Sequence, residues 1–147
     1  MKNLPTILCL LLLVLSCREP LSVERFIPAP GPYEFQVDMA DTAASYDFSF
    51  YTRLDGRLSG LETTELPLSI TWTSPSDTSY TEKVYMPLTG RATLFSRQVL
   101  QPYRADVRPW EAGQWSLQVV IGHTDAQEVM RGLGLVVKKN PDELGNN

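Results

Sequence analysis

The stretch Tyr33-Glu34-Phe35-Gln36-Val37-Asp38-Met39 decides the fold class, because every second residue is apolar and those between are polar or charged. A β-strand turns successive side chains to opposite faces, so this phase buries Tyr33, Phe35, Val37 and Met39 and leaves Glu34, Gln36 and Asp38 in water. The same period returns along the chain. Tyr46, Phe48 and Phe50 alternate with Asp47, Ser49 and Tyr51. Leu66, Leu68, Ile70 and Trp72 alternate with Pro67, Ser69 and Thr71, and Trp115, Leu117, Val119 and Ile121 with Gln114, Ser116 and Gln118. Weaker strands are expected at Tyr80–Met86, Val99–Val107 and Leu133–Lys138. The breaks carry turn chemistry: Asp55-Gly56, Ser74-Pro75-Ser76-Asp77, Thr89-Gly90 and Ala112-Gly113.

Helical patterning is confined to Thr124–Met130, enough for a single turn with Asp125 near its start. Strands without interleaved helices predict an all-β fold, a two-layer antiparallel β-sandwich. Greek-key and jelly-roll connections both fit, and periodicity does not choose between them.

Upstream of Tyr33 the pattern changes. Arg18–Pro32 holds Pro20, Pro28, Pro30 and Pro32, and proline favours extended chain over helix. Residues 17–32 are therefore read as a tether, with Phe26 and Ile27 able to dock on the domain as a first edge strand. Before it, Lys2 supplies a positive start, Ile7–Leu15 an apolar middle, and Val14-Leu15-Ser16-Cys17 a lipobox. This is the build of a secretory signal. The cysteine after the cut makes it a lipoprotein signal, with residues 1–16 removed and Cys17 left as the lipidated first residue. An apolar run of about nine residues is far short of the roughly 20 that span a bilayer. The sandwich is expected over residues 33–139, and the polar stretch 140–147 reads as a frayed tail.

Composition narrows the chemistry. The formal net charge is −4, and no basic stripe is present, so nucleic acid is an unsuitable partner. Cys9 lies in the signal and Cys17 carries lipid, which leaves the domain without a disulfide. With one histidine, His123, and no free thiol, a zinc site is not expected. Asp38/Asp41 and Asp125/Glu128 lack the ligand number of a calcium loop. A Gly-x-Ser-x-Gly elbow and a phosphate-cradling glycine loop are both missing. Gly132 and Gly134 read instead as a bend in a strand. The expectation is a protein that is not an enzyme and carries no metal or cofactor.

Aromatic residues supply the remaining candidates. Trp72 and Trp115 fall on the buried phase of their strands. Trp110 sits in a turn after Arg108-Pro109, and with Tyr51 and Tyr103 it is freer to meet a partner. Aromatic and arginine side chains dominate binding hot spots. Arg104, Arg108 and Trp110 are accordingly the candidate partner-binding residues, with both arginines assigned to the polar phase of the Val99–Val107 strand.

Several segments together resemble the gliding-motility lipoproteins of the GldH type, found among Bacteroidota. They are the Leu15-Ser16-Cys17 signal end, Tyr46–Arg53, Leu68–Trp72 followed by Ser74-Pro75, and Met86–Gly90. The fullest likeness runs from Tyr103 through Ala112–Trp115 and Val120–His123 to Met130–Lys138. The chain departs from that family at Leu58–Leu66, which lacks a Tyr-Pro-Tyr-x-Asn-Leu stretch. It departs again at Gly90–Leu94, which lacks Gly-x-Trp-x-Gly. The resemblance implies an accessory, non-enzymatic role in gliding and type IX protein secretion, with no catalytic residues to carry over. The expected setting is the periplasmic face of the outer membrane, anchored through Cys17 among other envelope proteins. The alternative is a carbohydrate-binding lipoprotein of a glycan-uptake system. Its signature would be solvent-facing aromatics aligned across adjacent strands.

Overall fold

The computed structural model describes residues 21–141, and each strand expected from the alternation is present in it. The elements are β1 (Ser22–Pro28), β2 (Tyr33–Met39), β3 (Ser45–Asp55), β4 (Glu65–Thr73), β5 (Ser79–Pro87) and β6 (Arg91–Ala92). They continue with β7 (Ser96–Val107), β8 (Gly113–Ile121), the single-turn α1 (Ala126–Val129) and β9 (Met130–Asn140). All pairings are antiparallel.

Two sheets result, ordered β1-β9-β3-β7-β6 and β2-β8-β4-β5. Apart from the hairpins β4–β5 and β6–β7, every connection crosses from one sheet to the other. With the two-residue β6 set aside, β1-β9-β3-β7 facing β2-β8-β4-β5 is jelly-roll order. That decides between the two connection schemes the sequence leaves open.

The inner faces meet as the alternation dictates. Phe35, Val37, Phe48, Phe50, Leu68, Ile70, Trp72, Trp115, Leu117 and Leu135 are all buried. Trp72 sits among rings from both sheets: Phe48 edge-on at 5.0 Å, Trp115 at 6.3 Å and Tyr103 stacked at 6.4 Å between centroids. Its buried indole N–H donates to the Tyr103 hydroxyl at 2.9 Å, so the ring's polar atom is satisfied where apolar packing needs the rest.

The segment read as a tether divides in two. Ser22–Pro28 is strand, paired along its length with β9, and Phe26 and Ile27 dock on the domain edge as anticipated. The sandwich thus begins eleven residues before Tyr33, at Ser22. At the other end Asn140 closes β9 and its amide donates to Asp47 at 2.8 Å. The signal segment, Cys17 and residues 142–147 lie outside the described residues.

Candidate functional site

Tyr103 and Arg104 are consecutive, yet both reach Glu82. The β3–β7 ladder shifts register around Phe48, a bulge that puts Arg104 opposite Phe48, a core residue. A bulge re-aims side chains in this way. The Arg104 guanidinium donates to both Glu82 oxygens, at 2.8 and 2.9 Å from Nη2, and the Tyr103 hydroxyl donates to the same carboxylate. Trp72, Tyr103, Glu82 and Arg104 therefore strap β4 and β5 of one sheet to β7 of the other. Arg104 is exposed, as its polar phase predicts, but its guanidinium is engaged in this strap, and Tyr103 is partly buried.

Burial opposes ionisation of Glu82, but the hydrogen bonds from Arg104 and Tyr103, with the charge of Arg104, hold its carboxyl below the ordinary value of 4.5. A carboxyl depressed in the folded state contributes stability above its unfolded pKa and loses it as pH falls through the folded one. Melting temperature should therefore drop as the medium is taken from neutral to about pH 3, and the drop should be smaller in Glu82→Gln. Thermal melts of both proteins across that range check it. An identical acid slope would remove Glu82 from the account.

Arg108 and Trp110 remain at the surface but do not converge with Arg104. The Arg108 guanidinium donates to the Ala43 carbonyl at 3.3 Å, on the β2–β3 loop. Trp110 is 64% exposed and rests edge-on against Trp115 at 4.5 Å. Arg104 faces β5 instead.

A different set of residues does converge, on the outer face of the five-stranded sheet. Phe26 of β1 pairs with Gly134 of β9, Gly134 with Tyr51 of β3, and Tyr51 with Leu100 of β7. One row across four strands thus carries two rings and a leucine, interrupted only by glycine. The rings lie 5.7 Å apart and are inclined by 26°. They fit because β9 has no side chains there: a Cβ at Gly134 would stand 1.9 Å from the Tyr51 ring, and one at Gly132 2.6 Å from the Phe26 ring. The two glycines, expected as a bend, are seats for aromatics. Phe26 is 44% and Leu100 62% exposed. The outer face of the other sheet differs, with Thr71–Thr81 and Thr73–Ser79 hydroxyl pairs through its middle.

To one side of this row, further along β3, lies a charged cluster. Asp55 accepts from Arg53 at 2.5 Å and from Arg131 at 2.9 Å, and these bonds hold its carboxyl below the usual range. Arg91 of β6 stands at the rim. Beside the row, burial and a hydrogen bond with Glu24 raise the Tyr51 hydroxyl to about 12, so it stays protonated. Together these residues line an open groove of about 840 Å³.

Set against protein families, curated proteins and solved structures, the chain matches none. The geometry of the groove is thus the ground for a functional reading. Tyr51 was legible in advance, being an aromatic on the polar phase of its strand. Phe26, Leu100, Arg53, Arg91 and Arg131 were not, since only the strand order brings them together. Among the described residues, no three His, Cys, Asp or Glu side chains are grouped as a metal ion would need.

Proposed function

We propose that this protein is a lipid-anchored, non-catalytic binding protein of the cell envelope. In this reading it is an accessory component of a motility or secretion assembly, like the GldH-type lipoproteins it resembles. The observation that carries it is the outer face of the five-stranded sheet, where aromatic and arginine side chains stand together on a rigid scaffold. A hot-spot surface has that composition.

Anchoring at Cys17 also gives the groove a direction. Leu21 accepts a backbone hydrogen bond from Lys139 at 2.7 Å, so the chain enters where β9 ends. It is four positions on from Cys17, a reach of at most about 14 Å. The arginine cluster lies by the far end of β1, roughly 20 Å farther along the strand. It therefore faces away from the anchoring membrane, which suits a periplasmic partner better than the host bilayer.

The test is fractionation. Each buried methylene of an acyl chain contributes about 0.8 kcal/mol, so several chains make release negligible. Cys17→Ser should move from the membrane pellet to the soluble periplasmic fraction. A variant that stays in the pellet after carbonate washing would overturn the lipoprotein reading. Crosslinking in intact cells, followed by purification of the wild-type chain, should retain envelope proteins.

A second reading, the carbohydrate-binding lipoprotein, is favoured by one specific observation. Phe26 and the half-exposed Tyr51 stand in one row on the outer face, on β1 and β3 with Gly134 of β9 between them, close to the aligned aromatics expected of it.

A further inference from the structure

We propose that the groove over β1, β9, β3 and β7 is a binding site for an acidic oligosaccharide, one bearing uronic-acid carboxylates. The proposal deepens the carbohydrate-binding reading and rests on it.

The shape of the floor argues against an extended peptide adding as a strand. β9 is hydrogen-bonded to β1 on one side and β3 on the other, and β3 likewise lies between β9 and β7. Their backbone groups are already paired, so a protein segment laid on this face gains no main-chain ladder. Peptides that bind sheets in extended form take that ladder from an edge. A sugar ring needs no such ladder. It offers an apolar C–H face, which an aromatic ring covers, and pairs of oxygens, which planar polar side chains can engage from the side.

Both halves of that requirement are on the page. Phe26 and Tyr51 supply near-parallel rings, with Leu100 continuing the row. Arg53, Arg131 and Asp55 form a cluster whose members fix one another, and Arg91 and Gln98 line the same groove. Groups held in place before binding lose little freedom on contact. The charge balance selects among sugars. Three arginines, Arg53, Arg91 and Arg131, line the groove against two carboxylates, Asp55 and Glu24, and the arginines are gathered at the Asp55 end. A local positive excess on a chain of net charge −4 complements a ligand carboxylate. Arginine can meet such a group with two parallel hydrogen bonds.

The experiment is calorimetric titration of the full-length chain in detergent micelles. The probes are hexagalacturonate, neutral cellohexaose, and a poly-glutamate peptide of matched charge. Hexagalacturonate should bind, and binding should weaken as salt is raised. Phe26→Ala and Arg91→Ala should each weaken it about tenfold or more. Arg91 is an exposed residue of a two-residue strand, so its variant should keep the wild-type melt even if Phe26→Ala loosens β1. No binding of hexagalacturonate, or binding indifferent to both variants, would overturn the site. Equal binding of cellohexaose would overturn its acidic preference, and equal binding of poly-glutamate its glycan specificity. Membrane attachment is read separately through Cys17→Ser. A soluble variant that still binds the acidic glycan supports the site, and failure of anchoring and failure of the groove remain distinguishable.

Discussion

Trp72→Ala should leave the domain close to unfolded. Removing a buried aromatic typically costs about 3–5 kcal/mol, partly from lost transfer free energy and partly from the cavity left behind. A domain of this size holds about 5–15 kcal/mol in all. Trp72 is 1% exposed and touches Phe48, Trp115, Tyr103 and Tyr80, residues of both sheets. Its loss therefore opens the centre of the sandwich, where neighbours on fixed strands cannot easily collapse. It also removes the indole donor to Tyr103, although that hydroxyl keeps Glu82 as a partner. A circular-dichroism melt should shift down by many degrees or lose its cooperative transition. Tyr85→Ala, which trims an exposed ring on β5, should melt almost as wild type. An unaltered melt for Trp72→Ala would place the ring outside the core.

That core was legible because burial on a strand repeats every two residues and the chain keeps the period over long runs. The alternation from Tyr33 to Met39 is matched by strict inside–outside burial in β2, and Trp72 and Trp115 lie inside as their phase requires. The sequence was silent where a partner depends on register. Arg104 is exposed, as counting by twos expects, but the ladder shift beside Tyr103 also brings its guanidinium to Glu82. β1 was legible only as an edge strand around Phe26 and Ile27, and its full length was not, for another reason. Six of its seven residues are exposed and the seventh is half-buried, because it is an edge strand covering little of the core. Its apolar residues therefore show no clean alternation. The groove lay furthest from view. Phe26, Tyr51, Leu100 and Arg131 are far apart in the chain and become neighbours only through the order β1-β9-β3-β7. Local pattern carries no record of that order.

Gly132→Ala tests whether the groove depends on β1 being seated. A Cβ at this position would stand 2.3 Å from the Ile27 carbonyl oxygen and 2.6 Å from the Phe26 ring, and Gly132 has φ +155°. The backbone of Gly132 cannot simply retreat, because its carbonyl accepts from the buried Thr52 hydroxyl at 2.6 Å. The strand that gives way is β1, which among the described residues is an edge strand paired with β9 alone. Forced overpacking of this kind costs about 1–3 kcal/mol. Here it should be concentrated at the edge, because strands bonded on one side open more readily than those in the centre. Hydrogen exchange should show protection lost over Ser22–Pro28 while β4 and β8 retain theirs. The Phe26–Tyr51 stack should go with it, since Phe26 is carried by β1 alone. Affinity for the acidic glycan should then fall although Arg53, Arg91 and Arg131 are untouched. Arginines without the ring platform would keep their charge and lose the surface that orients a sugar. Exchange protection of β1 preserved in Gly132→Ala would mean that the strand accommodates a methyl group. The glycine would then not be what holds the platform open.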